Sequence, residues 1–310
     1  MINFLYFFLP VLGGYTLTSV YLLKNPQILH RKKRPAFYCK KIAHRGGSGE
    51  RIESTMEAFT HAAEQGTEML EMDCHLTHDG FVVVSHDENL LRQTGHDVTI
   101  SSLNLQDLPL YKERLEVTFY EGRYSTGKDR KFALLEDVFK KFPEMPISIE
   151  IKENNHELIK RVSDLVKRYN REGITVWASA DSTIMKQCWK MNGSMPYSFT
   201  MSRGLLLLLL FYTGLLPFVP IGESLLQFYL MRIFNSLCFI LNLLLSCCHF
   251  RITMRKSLFR HLAARGIQVH LFVCNTEEDI EAALEVGATG VMSDYPTLLS
   301  SYFCKNRSQD

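Results

Sequence analysis

The stretch from Lys41 to Asp87 contains three short apolar runs, which read KIAHRGG at residues 41–47, MLEMD at 69–73 and FVVVSHD at 81–87. Each run ends in side chains that can transfer protons, bind metal or hold phosphate. A helix is predicted between the first two runs, because STME at 54–57 matches a capping box and Gly66 is a suitable helix end. Strands that deliver reactive side chains at their ends are typical of α/β enzymes.

The alternation of strands and helices continues to the end of the chain. Beyond a polar, irregular segment at 88–131, which is interpreted as a small subdomain, further strands are predicted at 147–152, 174–178, 197–200, 267–273 and 289–292. With the three runs above, this makes eight strands and predicts a (β/α)8 TIM barrel over residues 38–304. A doubly wound open sheet is the alternative. The barrel is favoured because barrel enzymes carry their charged site residues at the strand C-termini.

The N-terminal segment 1–28 is predicted to be a membrane anchor. Ile2 to Leu23 contains no charged side chain, and about 20 apolar residues suffice to span a bilayer. A cleaved signal peptide is the alternative, but the segment lacks a positive n-region and a small-residue cleavage site. Basic residues follow the segment, from Lys24 through the RKKR run at 31–34. They predict that the catalytic domain faces the cytosol.

Residues 202–252 form a second apolar region, predicted as an insertion after the sixth strand. It begins with six consecutive leucines at 205–210, and a second run extends from Leu225 to Cys248 with Arg232 as its interruption. A single span here would place strands of one barrel on opposite sides of the bilayer. The region is therefore predicted to be an in-plane platform or re-entrant hairpin at the barrel mouth, with two full spans as the alternative.

The composition of the chain limits the classes of function that it can have. The net charge of +2 provides no global basic field, so no nucleic-acid partner is expected. The eight cysteines contain no CxxC pair, and reduced thiols are the simplest interpretation. The two apolar segments make a membrane bilayer the expected partner, and the sequence does not identify a protein partner.

Three carboxylates, Glu71, Asp73 and Glu150, are predicted at strand ends opposite apolar faces. A lone acid of this kind would more often be a solvated surface group. Three at equivalent positions predict one divalent cation, and their oxygen ligands suit Ca²⁺ or Mg²⁺ without deciding between them.

Two histidines and two cations are predicted beside the carboxylates. His44 and His86 end the first and third predicted strands, where two imidazoles can act as general base and general acid on a phosphodiester. Arg45 and Lys152 add donors for phosphate oxygens. Together these side chains predict phosphoryl chemistry, without assigning the acid and the base.

Several linked motifs are similar to those of the glycerophosphodiester phosphodiesterase family. They are HRGG at 44–47, ESTMEAF at 53–59, ExD at 71–73, TxD at 77–79, HD at 86–87, ExK at 150–152 and GAxGVxSDxP at 287–296. The chain departs from the family at Ser54, where Asn is frequent, and near Phe272, where Trp is frequent. The N-terminal anchor and the apolar insertion resemble the membrane lysophospholipase D branch of this family.

The resemblance implies site roles that agree with the reading of the residues. It makes His44 and His86 the acid–base pair, with phosphate contacts from Arg45 and Lys152. It makes Glu71, Asp73 and Glu150 the metal ligands.

The resemblance also implies a substrate, products and a location. Lysophosphatidylcholine-like and N-acyl-lysophosphatidylethanolamine lipids would yield lysophosphatidic acid and the head-group alcohol, by way of a cyclic phosphate. The membrane would be the endoplasmic reticulum or a perinuclear one. Water-soluble glycerophosphodiesters are the alternative substrates, and a catalytically silent lipid-binding membrane protein is the alternative function.

Overall fold

The computed structural model describes residues 2–230 and 252–307. Its strands are β1 (Lys41–Ala43), β2 (Met69–Leu76), β3 (Val82–Val84), β4 (Arg114–Glu116), β5 (Tyr124–Thr126), β6 (Ala133–Leu134), β7 (Ile147–Glu150), β8 (Thr175–Ala178), β9 (Leu225–Tyr229), β10 (Gln268–Phe272) and β11 (Gly290–Ser293). Its α-helices are α1 (Ile2–Lys24), α2 (Met56–Glu64), α3 (Leu91–Thr94), α4 (Leu135–Lys141), α5 (His156–Arg168), α6 (Ser182–Met191), α7 (Met201–Tyr212), α8 (Lys256–Ala264), α9 (Glu277–Glu285) and α10 (Pro296–Arg307). Single 3-10 turns lie at Pro26–Ile28, His44–Gly46, Ile100–Ser102, Leu105–Asp107 and Leu216–Phe218.

Parallel strands close into a ring. β1 pairs with β2 on one side and with β11 on the other, and the ring continues through β7 and β8 and, from the other end, through β10 and β9. Parallel bridges from Tyr197 to Trp177 and from Ser198 to Leu225 join β8 to β9. The ring therefore has eight strand positions, counting residues 197–198, and the predicted (β/α)8 barrel is confirmed.

The prediction of a barrel strand at residues 81–85 is wrong. β3 pairs antiparallel with the far end of β2, where Cys74 is opposite Val84, and also antiparallel with β6. The cause is the turn at 77–81, which is too short to contain the crossover helix that a parallel neighbour requires. The missing barrel strand is β9, which was predicted to belong to the apolar insertion. The prediction thus included one strand that lies outside the ring, β3, and omitted one that belongs to it, β9, so its total of eight strands was still correct.

The described part of the predicted insertion lies on both sides of β9. α7 directly follows the sixth predicted strand, as expected, and the turn Leu216–Phe218 comes next, but β9 then interrupts the apolar region with a barrel strand. Residues 231–251, which include most of the second apolar run, lie outside the described residues. α7 itself has 12 residues. At about 1.5 Å per residue it is much shorter than a bilayer core, which favours a platform over a span for this helix.

The N-terminal helix α1 meets the end of α7. The hydroxyl of Tyr15 donates to the carbonyl of Thr213 at 2.6 Å, and that of Ser19 donates to the carbonyl of Gly214 at 2.6 Å. The segment Tyr6–Lys24 is long and apolar enough to cross a membrane, with a mean hydropathy of 1.4, and only 6% of it is buried. The two apolar helices thus contribute to one surface of the molecule.

The alternation of side chains along β2 separates core from site. Leu70 and Met72 pack with Phe59 and Val138 in the layer between the barrel and its helices. Glu71 and Asp73 project from the opposite side of the strand, because successive side chains point to opposite faces. The register of β2 with β7 then places Asp73 directly beside Glu150.

Candidate active site

The carboxylates of Glu71, Asp73 and Glu150 converge at the mouth of the barrel. One oxygen from each lies within 4.8 Å of the others. Burial and the neighbouring Asp73 raise the pKa of Glu150 to about 7, and the same two causes raise the pKa of Glu71. Burial alone would also raise the pKa of Asp73, but Lys152, His86 and Arg45 outweigh it and lower that pKa. Without a cation, burial and mutual repulsion therefore oppose the simultaneous ionisation of all three carboxylates.

These three side chains fit a divalent cation. Asp73 is 1% exposed, and its Oδ2 has no hydrogen-bond partner among residues 2–230 and 252–307. A buried carboxylate oxygen without a partner is costly unless a cation or proton satisfies it. Three convergent carboxylate oxygens are the donor set of a hard cation such as Mg²⁺ or Ca²⁺. The structure brings together the three residues that were predicted to be metal ligands.

Two positively charged side chains, Lys152 and Arg45, flank the carboxylate cluster, and they make different contacts. Lys152 Nζ forms an ion pair with Asp73 Oδ1 at 2.7 Å. The guanidinium of Arg45 bonds to Glu53 at 3.3 Å and to the hydroxyl of Thr118 at 3.1 Å, while its backbone N–H donates to Glu71 Oε2 at 2.9 Å. Arg45 Nε is buried and has no partner in the described chain. Both side chains line the same cavity as the carboxylates.

His44 is held by a carboxylate on its far side. Its Nδ1 is 2.6 Å from Asp294 Oδ1, and its Nε2 lies 4.0 Å from Glu71 Oε2. Ser48 and Asn275 donate to Asp294 in turn. Burial would lower the pKa of His44, but the charge and hydrogen bond of Asp294 outweigh burial and raise it. The orientation and charge of this imidazole are therefore set by Asp294.

His86 follows an antiparallel strand, β3, and not the parallel barrel strand that was predicted. The antiparallel return of β3 brings the chain back toward β2, where the N–H of Ser85 donates to the carbonyl of Asp73 at 3.0 Å. His86 Nδ1 then lies 2.5 Å from Asp87 Oδ1, and Asp87 Oδ2 accepts from Arg92 Nε at 2.6 Å. Burial lowers the pKa of His86 in spite of Asp87. A hairpin thus delivers the second histidine to the mouth of the barrel.

Several residues that support the site were not predicted. Asp294 and Asp87 hold the two histidines, and Glu53 accepts bonds from both Arg45 and Arg92. All three lie inside motifs named above, HD at 86–87, ESTMEAF at 53–59 and GAxGVxSDxP at 287–296, and this is a signal that could have identified them. Phe119 and Tyr229 were also missed. Phe272, noted above as a departure from the family, stacks against His44 with 6.3 Å between ring centroids. No sequence signal links Phe119 and Tyr229 to the site, because they come from distant segments.

A cavity of about 570 Å³ joins the charged residues to an apolar wall. All seven predicted site residues line it. Its opposite side is formed by residues of α7 and β9 and by the neighbouring loops, among them Phe199, Met201, Leu205, Leu208 and Phe228. Leu205 lines the cavity and is 62% exposed at the outer surface. The cavity therefore opens onto the exposed apolar face of α7.

A second cluster of possible metal ligands lies close by. His75, two residues after Asp73 on β2, contacts Glu153 through Nδ1 and lies 3.2 Å from Glu88 Oε2. The hydrogen bonds and charges of these carboxylates outweigh burial and raise the pKa of His75 to about 9. A protonated imidazole already neutralises part of this cluster, so the three carboxylates described above are the better cation site.

Comparison with known proteins gives a consistent result. A model of the "Glycerophosphoryl diester phosphodiesterase family" matches residues 44–298. Lysophospholipase D GDPD3 of Homo sapiens is 50% identical over 303 residues, covering 96% of this chain and 95% of that protein. Lysophospholipase D GDPD1 of Homo sapiens is 48% identical over 310 residues, covering 96% of each.

Solved structures share the fold at low sequence identity. A putative glycerophosphoryl diester phosphodiesterase from Silicibacter pomeroyi superposes with a TM-score of 0.65 at 18% identity, covering 88% of this chain and 96% of that one. An Oleispira antarctica phosphodiesterase, solved in complex with sn-glycerol-3-phosphate, gives a TM-score of 0.58 at 19% identity, covering 87% of this chain and 98% of that one. These likenesses show the barrel fold.

Proposed function

The chain belongs to the glycerophosphoryl diester phosphodiesterase family, and we propose that it acts within that family as a lysophospholipase D. It is a phosphoric diester hydrolase by family. The proposed substrates are lysophosphatidylcholine-like and N-acyl-lysophosphatidylethanolamine lipids, and the proposed products are lysophosphatidic acid and the head-group alcohol. The two human relatives are named lysophospholipase D, and each matches nearly the whole of this chain.

The observation that carries the proposal is the form of the cavity. Its charged end holds the carboxylates, histidines and cations, and its other end reaches Leu205 and Leu208 on α7. A phosphodiester at the charged end would place a single acyl or alkyl chain along the apolar wall. The outer face of α7 exposes Leu205, Leu209 and Tyr212. A lipid can therefore enter the cavity from the apolar surface that α7 and α1 share.

The proposed roles of the charged residues follow from their contacts. Arg45 and Lys152 bind phosphate oxygens, and Glu71, Asp73 and Glu150 hold one divalent cation, Mg²⁺ or Ca²⁺. When bound, that cation stabilises the charge that develops on the phosphoryl oxygens. Lys152 Nζ is 2.7 Å from Asp73 Oδ1. Lys152 can therefore bind the phosphate beside the carboxylates that hold the divalent cation.

Proton transfer falls to the two histidines. His86, whose pKa is lowered by burial, accepts the proton of the attacking hydroxyl, which is the free glycerol hydroxyl next to the phosphate. His44, whose pKa is raised by Asp294, donates a proton to the departing head-group oxygen. The new P–O bond forms as the bond to the head group breaks, giving a cyclic phosphate. Water then opens this ring with the two histidines in reversed roles.

The proposed location is a membrane of the endoplasmic reticulum or the perinuclear region, with the barrel in the cytosol. Helix α1 is the candidate anchor, and the basic residues that follow it support a cytosolic barrel. The exposed apolar residues of α1 and α7 support contact with the bilayer on one surface. Reconstitution in proteoliposomes followed by protease protection tests this orientation.

Substitution of the apolar wall distinguishes lysolipids from the water-soluble alternative. Leu205→Gln/Leu208→Gln is expected to lower kcat/KM for lysophosphatidylcholine by about 10-fold or more, because loss of apolar contacts in such a pocket costs roughly 10- to 200-fold. Turnover of glycerophosphocholine, which has no acyl chain, should change little. Both rates are measured on purified full chain in detergent micelles.

Leu206→Gln/Leu209→Gln is the matched control, since Leu206 and Leu209 are exposed on the same helix and do not line the cavity. This control should retain both activities in micelles. Equal losses on the two substrates in the Leu205/Leu208 variant would support a general anchoring role for α7 and contradict the proposed acyl-chain site. A lack of turnover of any phosphodiester by the wild-type chain would support the silent lipid-binding alternative.

A further inference from the structure

A second large cavity lies at the C-terminal end of α1, away from the catalytic residues. It encloses about 740 Å³, a size typical of small-molecule sites. One wall is the end of α1, with Val20, Leu23 and Lys24, and the other is one side of α8 with the two residues before it. None of its lining residues lines the catalytic cavity. It is therefore a separate site with no role in the chemistry described above.

The lining of this cavity is strongly basic. Lys24, Arg255, Lys256 and Arg260 contribute to it, and its ten lining residues include no Asp or Glu. Across residues 2–230 and 252–307, Lys24, Lys256 and Arg260 make no ion pair. Clustered cations with no carboxylate among the residues that line the cavity produce a positive potential that attracts an anion.

The start of α8 adds backbone donors to the same cavity. The helix begins at Lys256, its N-cap Arg255 makes no side-chain cap hydrogen bond, and its first turn contains no acidic residue. The first N–H groups of a helix have no partner within the helix, and the helix dipole favours an anion beside them. Ser257, in this first turn, also lines the cavity. The first turn of α8 and the basic side chains thus border the same cavity.

Hydrogen bonds join the two walls of the cavity. His261 Nδ1 is 2.8 Å from the carbonyl of Leu23, and Gln27 donates to the carbonyl of Ala264 at 2.9 Å. Because a carbonyl only accepts, Nδ1 carries the hydrogen and Nε2 is left as an acceptor. His261 is 1% exposed, lines the cavity, and its Nε2 has no partner within the described chain. The cavity is therefore preformed, and the unsatisfied acceptor in its wall can receive a hydrogen bond from a donor of a bound molecule, such as an ammonium or hydroxyl group, but not from a phosphate oxygen.

The position of the cavity identifies the source of the anion. α1 is the candidate membrane span and ends at Lys24, so the basic wall lies where the apolar helix leaves the bilayer. Val20 and Tyr21, one turn earlier, are 45% and 60% exposed and offer an apolar surface. Basic clusters at this position relative to a span attract anionic lipids.

We propose that this cavity binds the head group of an anionic glycerophospholipid from the surrounding bilayer. The phosphate lies between Lys24, Lys256 and Arg260 at the start of α8. The acyl chains lie along the exposed apolar side of α1. This lipid is a bound component that fixes the anchor against the barrel, and it is distinct from the lysolipid substrate.

Binding of a short-chain fluorescent phosphatidylserine to the full chain in neutral detergent micelles tests the proposal. The wild type should bind it more tightly than the phosphatidylcholine counterpart. Lys256→Gln/Arg260→Gln should weaken phosphatidylserine binding by roughly 10-fold or more, since each basic residue near a membrane surface contributes about a factor of five. Lys24→Gln, on the opposite wall, should weaken it by about fivefold.

Arg31→Gln/Lys32→Gln is the matched control. It removes the same charge from exposed basic residues that follow α1 and do not line the cavity. It should bind phosphatidylserine as the wild type does. An equal loss in both double variants would show a general electrostatic field and overturn the proposed site, as would equal binding of the two lipids by the wild type.

Two further measurements separate loss of the lipid site from misfolding and from binding of free phosphate. Turnover of lysophosphatidylcholine in micelles should be unchanged in the Lys256/Arg260 variant, because neither residue touches the catalytic cavity, and this result shows that the variant is folded. Inorganic phosphate should compete only weakly with the labelled lipid. Complete displacement by inorganic phosphate at concentrations near that of the lipid would mean that the site binds free phosphate and would overturn the lipid assignment.

Discussion

Asp73→Asn is expected to lower turnover of lysophosphatidylcholine by more than about a hundredfold, since even residues that only support a metal ligand cost roughly 10- to 100-fold. Asp73 lies between Glu71 and Glu150 in the carboxylate cluster and pairs with Lys152. The amide keeps the shape of the side chain but removes its charge. The substitution therefore removes one charged ligand from the proposed cation site and also removes the ion-pair partner of Lys152.

The measurement combines activity with metal-dependent stability. In the wild type, Mg²⁺ or Ca²⁺ should raise the Tm after treatment with EDTA, because a ligand that binds only the folded state stabilises it. Asp73→Asn should lose this increase. Glu153→Gln, which alters the neighbouring cluster with His75, is the control and should retain it. A normal increase in Asp73→Asn, lost in Glu153→Gln, would place the cation at His75 and contradict the assignment.

The same increase in Tm should depend on pH. Burial raises the pKa of Glu150 from its ordinary 4.5 to about 7. Between these values the cation-free folded protein retains a proton that the unfolded chain releases, so its stability falls as pH rises through this window. A divalent cation removes this penalty by replacing the proton. The increase in Tm should therefore be larger at about pH 8 than at about pH 5.5.

His44→Ala is expected to lower kcat by about 10²- to 10⁴-fold, the usual contribution of general acid–base catalysis. His86→Ala should have an effect of similar size. The two variants should differ on a substrate whose leaving group is p-nitrophenol, because a good leaving group needs no proton. Activity on such a substrate should recover in His44→Ala and stay low in His86→Ala if His44 is the acid.

His61→Ala serves as the histidine control. His61 pairs with Glu50 at 2.5 Å and lines no part of the catalytic cavity. Its replacement should leave both activities near those of the wild type. Recovery in His86→Ala instead of His44→Ala would reverse the assignment of acid and base. Full activity of either variant on lysophosphatidylcholine would exclude that histidine from catalysis.

Local sequence patterns predicted most of the barrel but misassigned two strands. FVVVSHD at 81–87 has the composition of a buried strand, and only the short turn before it shows that β3 must be antiparallel. LLQFYL at 225–230 has the same composition, but it merges in sequence with the apolar run that follows. Composition identifies a strand, whereas its partner depends on the length of the connections and on tertiary contacts.

The start of α2 shows how a local motif can be one residue out. STME at 54–57 predicted a cap at Ser54, but the N-cap is Thr55, which accepts from the N–H of Ala58. Ser54 instead has φ 59° and is fully buried. Asn adopts this left-handed conformation more readily than Ser. The Asn frequent in the family at this position is therefore explained by backbone geometry.

The charged half of the site was predicted residue by residue, whereas the apolar half was predicted only by its place at the barrel mouth. The period of two along β2 places Glu71 and Asp73 on one face, and equivalent strand ends bring in Glu150 and Lys152. The carboxylates that hold the histidines, Asp294 and Asp87, depend on side-chain orientation. The contact of α7 with the catalytic cavity depends on tertiary packing, which the leucine run alone does not specify.

The products that the purified full chain forms from lysophosphatidylcholine test the central claim most directly. Mass spectrometry should detect lysophosphatidic acid and choline in equal amounts. Their formation should stop with EDTA and resume with Mg²⁺ or Ca²⁺, and lysophosphatidylcholine should be preferred to glycerophosphocholine by kcat/KM. Release of a fatty acid and glycerophosphocholine, or a preference for glycerophosphocholine as substrate, would contradict the assignment of a lysophospholipase D.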